Sequence, residues 1–258
     1  MDARPNAMTK AIVVRNLCVD FTRDDGGRVR ALNNVSVAIA PGDFICVVGR
    51  SGHGKTTLLN VIGGLLGDYE GEVYALGKKV TGPGIDRGVI FQKDAVFPWM
   101  RVEDNVSFGL RVAGIPKSER ARIAREHLDM VGLGDVKQAW PRELSGGMRA
   151  RVAVAGVFAN DPPILLADEP FGALDYVTRR QLQEVLFKLW QRTQKTVLFV
   201  THDVDEALRL GSRVIVISNG AIVEDQYVNL PVPRTDDDLA TPRGLELKHL
   251  LLHHIGLE

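Results

Sequence analysis

The chain is poor in cysteine, aromatic residues, long apolar runs and net charge, and each shortage excludes something. It has two cysteines in 258 residues, Cys18 and Cys46, both in apolar stretches without C-x-x-C spacing. Neither a disulfide framework nor a thiolate metal site is expected, and both thiols read as small buried hydrophobes. Aromatic residues make up only 6%. The longest apolar runs, 152–159, 164–167 and 197–200, fall well short of the ~18 residues a spanning helix needs. The start, Met1-Asp2-Ala3-Arg4-Pro5, lacks the apolar core of an export signal. Any membrane role is therefore expected to pass through a partner subunit. Lys plus Arg and Asp plus Glu both total 32, and this neutral balance argues against nucleic acid as the main partner.

What the chain does have is glycine, 26 of it, placed at the ends of short apolar runs. Residues 11–20 and 29–40 read as strands, and Phe44 to Val48 (FICVV) reads as a buried central strand. Further apolar runs at 88–91, 164–167, 197–200 and 214–217 alternate with helical stretches. That alternation predicts an α/β fold with a mainly parallel sheet covered on both faces. Between Lys93 and Asn160 strand pattern is scarce, so a helical subdomain inserted at about 93–160 is expected. Within it 119–130 reads as a helix N-capped by Ser118. After Tyr227 the chain is expected to be extended, with Asp236-Asp237-Asp238 a solvated charge run and a short amphipathic helix at 245–254. His249 and His253 on that helix read as a solvated face, since they have no acid or cysteine partner.

Gly49-Arg50-Ser51-Gly52-His53-Gly54-Lys55-Thr56-Thr57 matches a phosphate loop, preceded by an apolar strand and followed by a helix. Glycines let several backbone N–H groups point at one anion, and the helix N-terminus adds partial positive charge. Lys55 is expected to reach the β- and γ-phosphates and Thr56 to coordinate Mg²⁺, while His53 reads as a loop filler. The run 164–167 ends in Asp168-Glu169, at the strand edge where ligands bind in such sheets. Asp168 suits a Mg²⁺ partner, and Glu169 suits a general base toward water.

A second glycine-rich turn, Leu144-Ser145-Gly146-Gly147-Met148, opens a helical run with Ser145 as N-cap. Taken alone it is a capping turn. In order along the chain stand the phosphate loop, Gln92, this turn, Asp168-Glu169, Ala173-Leu174-Asp175 and His202. That ordered set resembles the ATP-binding-cassette (ABC) ATPases, and the resemblance covers about residues 11–226. The resemblance implies a phosphate-loop NTPase of ABC type, with an antiparallel β subdomain beside the helical one. It implies residues 1–10 as an extension, 11–230 as the ATPase domain and 231–258 as a tail.

The resemblance also implies roles. Two ATP molecules would be sandwiched in a head-to-tail dimer, with Ser145, Gly146 and Gly147 of one copy binding the γ-phosphate held by the other. Gln92 would sense metal and water, Glu169 polarise water, Asp175 cross the dimer interface and His202 contact the γ-phosphate. Phe21 would stack on adenine. The stretch from Gln92 through Phe97-Pro98-Trp99 to Val106 is similar to the nitrate, sulfonate and taurine importer ATPases. There the surface around Phe97, Pro98 and Trp99 receives a helix of the transmembrane permease, which works with a solute-binding protein. Two positions depart from the family pattern. Met148 stands for glutamine and Gly156 for arginine, and neither is expected to abolish activity. Other readings are an exporter subunit, a soluble ABC ATPase of DNA repair or translation, and a phosphate-loop kinase.

Overall fold

The structure, a computed structural model, describes residues 10–23, 26–91, 96–172 and 174–257. Along the chain run β1 (Ile12–Thr22), β2 (Arg28–Ile39), β3 (Phe44–Val48), α1 (Lys55–Gly63), β4 (Glu70–Ala75), β5 (Lys78–Lys79) and β6 (Arg87–Ile90). Then come α2 (Val102–Val106), α3 (Phe108–Val112), α4 (Lys117–Met130), α5 (Gly146–Ala159), β7 (Ile164–Asp168) and α6 (Tyr176–Thr193). The last elements are β8 (Thr196–Val200), α7 (Val204–Leu210), β9 (Arg213–Ser218), β10 (Ala221–Tyr227), α8 (Asp236–Leu239) and α9 (Pro242–Ile255). Among the described residues no helix is long and apolar enough to cross a membrane. Two compact units result, Met1–Asp86 with Gln194–Glu258, and Arg87–Thr193.

In the first unit every residue of β3 is buried. The strand lies between β8 and β9 and is parallel to both, with Val47 opposite Val200 and Ile215. A strand enclosed on both edges and both faces can be apolar throughout, which is why FICVV shows no alternation. Phe44 and Phe199 bring their rings to 6.0 Å at the centre of this layer. Each such side chain contributes about 1.5–3 kcal/mol by leaving water. Helix α7 packs on β3 and α1 against β8. The antiparallel subdomain is the sheet β2-β1-β4-β5.

The second unit pairs β6 with β7 in parallel, Val89 opposite Leu166, and adds the helices α2 to α6. Helix α5 packs against α2, α4 and α6. Glu103 joins two of these elements from a nearly buried position: Arg125 Nε donates to Oε1 at 3.0 Å and Gln138 Nε2 to Oε2 at 2.8 Å. Its carboxylate is thereby satisfied on both oxygens, which a buried acid requires.

Four expectations need correction. Ser118 is not the N-cap of its helix, because α4 begins at Lys117 and Pro116 holds the cap position in extended geometry. The tail after Tyr227 is not extended throughout: Asp236–Leu239 forms α8, where Thr235 and Asp238 make a reciprocal capping box and Asp236 meets Arg209, while Asp236 and Asp237 stay exposed as a solvated run would. The tail helix α9 is longer than expected, starting at Pro242 with Thr241 as its cap. Cys18 is half-buried and its Sγ accepts from Asn34 N–H at 3.2 Å; only Cys46 is buried.

Candidate functional site

In the first unit β3 runs straight into the phosphate loop. Gly49 has φ 152° and Gly54 φ 102°. A Cβ at Gly49 would collide with the Ile217 carbonyl, and one at Gly54 with Ala31 O and with Leu32 Cδ2 at 2.7 Å. Both positions demand glycine for space and for backbone angle, so the loop follows a path no other residue would permit. Gly54 is also the N-cap of α1 and has no side chain to offer its first turn. A helix start with no side-chain cap of its own suits an external anion. Lys55 is 4% exposed and folds back over the loop, donating from Nζ to Gly49 O at 2.9 Å and Arg50 O at 3.1 Å. Thr56 is exposed at the helix start, and Arg50, Ser51 and Gly52 form the exposed rim. His53 faces away from that role: its Nδ1 accepts from Asn219 N–H at 3.3 Å, and its carbonyl from Gly220 N–H.

Because β8 is parallel to β3, its carboxyl end lies at the same sheet edge. There Thr201 N–H donates to Val47 O at 3.1 Å, and the exposed His202 follows. Phe21 is 44% exposed near the end of β1, paired in register with Val29. Its ring is therefore not a core ring.

In the second unit, β7 delivers Asp168 and Glu169 to its carboxyl end, both half-buried. Glu169 has φ 42°. A left-handed conformation in a non-glycine residue costs roughly 1–3 kcal/mol and recurs at functional sites. Gln92 lies outside the described residues. Ser145 N-caps α5 as expected, with Oγ accepting from Met148 N–H at 3.3 Å. Ser145 and Gly146 are exposed, so the turn presents its backbone outward. Gly147 is buried, and a Cβ there would strike Thr178 Cγ2. Asp175 caps α6 by accepting from Thr178 N–H at 3.1 Å, a bond that holds its carboxyl below the usual range.

The same unit carries an apolar groove of about 850 Å³, lined by Phe97, Pro98, Trp99, Ala153, Phe171 and Leu174 among others. Trp99 is 67% exposed, and its ring lies 5.5 Å from that of Phe97, which in turn leans on Phe108 at 4.6 Å. One side chain holds this loop. Asn105 Oδ1 accepts from Phe97 N–H at 2.6 Å, and Nδ2 donates to Phe97 O, Met100 O and Arg101 O at 3.0–3.1 Å.

Sequence reasoning missed Thr201, Glu206 and Arg234. A signal for the first two was present: Asp203-Val204-Asp205-Glu206 has capping-box spacing after a strand end. Arg234 carried none, because its partners are three distant carbonyls.

Residues 32–172 match the ABC transporter family. An uncharacterised ABC transporter ATP-binding protein of Methanocaldococcus jannaschii is 51% identical over 88% of this chain and 85% of its own length. The nitrate import ATP-binding protein NrtD of Synechocystis sp. is 49% identical over 86% of this chain and 82% of its own. The taurine import ATP-binding protein TauB of Roseobacter denitrificans is 46% identical over 80% of this chain and 76% of its own. Among solved structures, the dimeric post-hydrolysis state of the ATP-binding cassette MJ0796 bound to ADP and Pi aligns with TM-score 0.75. That match has 32% identity and spans 84% of this chain and 99% of that one. Matched by the family over more than half its length, and by two relatives over more than four fifths of it, the chain belongs to the ABC transporter family.

Proposed function

We propose that this chain is the ATP-hydrolysing subunit of a membrane importer for a small anionic solute of the nitrate, sulfonate or taurine kind, working as a head-to-tail dimer. The observation that carries the reading is the presence of two outward-facing backbone cradles, the glycine loop after β3 and the turn opening α5. One triphosphate needs only one of them. In a dimer, the loop of one copy and the turn of the other close on the same ATP.

The phosphates lie along residues 49–57, with Lys55 released from its two carbonyls to reach the β- and γ-phosphates. Phe21 offers its exposed ring to adenine. The hydroxyl, amide and carboxylate of Thr56, Gln92 and Asp168 are hard oxygen donors that suit Mg²⁺, whose charge offsets that of the phosphate oxygens. Glu169 takes the proton of the attacking water, and His202 donates to the γ-phosphate. Ser145, Gly146 and Gly147 of the opposite copy complete the electrostatic cage, and Asp175 borders the interface. Catalysis is then mostly positioning and charge stabilisation.

The apolar groove beside Trp99 receives a short helix of a transmembrane permease, which places the chain peripherally on the cytoplasmic face of the membrane. A solute-binding protein would be reached only through that permease. The test is ATP turnover per subunit as a function of protein concentration. It should rise as dimers form and rise again with the permease. A flat dependence on concentration would reject the shared site.

A further inference from the structure

The turn between β8 and α7 carries a buried polar device. Thr201 and Glu206 are 2% and 6% exposed. Thr201 Oγ1 donates to Glu206 Oε2 at 2.5 Å and accepts from Asp203 N–H at 3.0 Å. Asp203 Oδ1 accepts in turn from Glu206 N–H at 3.1 Å, capping α7. In an ordinary capping box the third helical residue reaches back to the N–H of the cap itself. Here Glu206 stops one atom short and holds a hydroxyl, and the hydroxyl holds the cap N–H. The box is enlarged to enclose one more residue, and that residue is His202. It sits at the centre of a turn closed by the side chain before it and the backbone after it.

The same turn is pinned at its other end, where Thr201 N–H donates to Val47 O. Two residues beyond Val47 comes Gly49, whose carbonyl accepts from Lys55. The backbone of His202 is thus referred to the strand that carries the phosphate loop. Burying a carboxyl and a hydroxyl costs free energy unless their bonds are made. A leucine–valine pair would fill this space more cheaply, so the expense needs a purpose other than packing.

We propose that Thr201 and Glu206 are positioning residues that fix the backbone of His202 for its contact with the γ-phosphate. This inference rests on the role given to His202 above. Misplacing a contacting group by about 1 Å costs up to ~100-fold in rate.

The test is steady-state hydrolysis of Mg-ATP by the full chain. Thr201→Val should lower kcat roughly 10- to 100-fold while the KM for ATP stays within about threefold. Thr201→Ser, which keeps the hydroxyl, should restore turnover. Thr201→Val combined with His202→Ala should be no slower than His202→Ala alone, because both act through one group. If Thr201→Val fails to fold, Glu206→Met frees the hydroxyl from its acceptor and is read in the same way. The proposal is overturned if Thr201→Val turns over normally while His202→Ala is slow, if the two losses multiply, or if KM rises in step with the fall in kcat. Full turnover by His202→Ala alone would overturn the role given to His202, and this inference with it.

Discussion

Lys55 Nζ lies 2.9 Å from the carbonyl oxygen of Gly49, so the cation proposed to meet phosphate is held by its own loop. The bond keeps a nearly buried ammonium satisfied and stops the loop from opening. Lys55→Met retains the stem and removes the charge. Loss of hydrogen bonds to a charged group costs about 1.5–3 kcal/mol, or roughly 10- to 150-fold in ATP affinity. Equilibrium titration with ATP measures it, and unchanged affinity would show that Lys55 only braces the loop.

Glu169 leaves β7 with a positive φ that its side chain disfavours. Glu169→Gln keeps shape and backbone and removes the proposed base. ATP binding should persist while turnover falls about 10²- to 10⁴-fold. With hydrolysis stopped, the closed dimer should accumulate in ATP and elute as a dimer in size-exclusion chromatography. Turnover at the parent rate would move the role of base to another residue.

Gly147 is a steric requirement for the packing of α5 on α6. Gly147→Ala presses a methyl into Thr178 Cγ2, an overpacking that costs about 1–3 kcal/mol. Thr178→Ser removes the opposing methyl. The double variant should recover most of the lost Tm, and a strictly additive pair would show that the two residues do not meet.

Two guanidiniums fasten the tail, that of Arg209, which meets Asp236 and donates to Arg234 O at 3.2 Å, and that of Arg234 itself. Arg234 is 8% exposed and donates from Nη1 to Leu208 O and Gly211 O at 2.9 and 2.6 Å, and from Nη2 to Val228 O at 3.0 Å. Burial lowers its pKa from the usual arginine range. Arg234→Leu leaves three carbonyls without their donor, each worth about 1–3 kcal/mol when buried. Tm should fall, and α8 and α9 should become protease-sensitive ahead of the rest of the chain. If limited proteolysis cuts both proteins at the same rate, the tail is held by its apolar face instead.

The central strand, the glycine loop and the cap of α5 were legible because each is written locally: an unbroken apolar run, a spacing, a serine before glycines. The strands β4 and β5 were not. Glu70-Gly71-Glu72 and Lys78-Lys79 lack apolar alternation, and tertiary pairing with β1 creates the strand at Val73 and Ala75. Ser118 misled because it is a good cap, whereas Pro116 fixes φ and so takes the boundary two residues earlier. Arg234 was invisible because no local pattern announces three carbonyls that converge only in the folded chain.

Gly156 has a consequence beyond the missing arginine. A Cβ there would lie 3.6 Å from Val106 Cα and 3.7 Å from Asn105 O. A methyl fits, but a longer side chain has to push α2 away. Asn105 belongs to α2 and carries the loop of Trp99 on its amide. The absent side chain therefore sets a spacing: α5 and α2, the helix whose Asn105 carries that loop, are kept no more than a methyl apart.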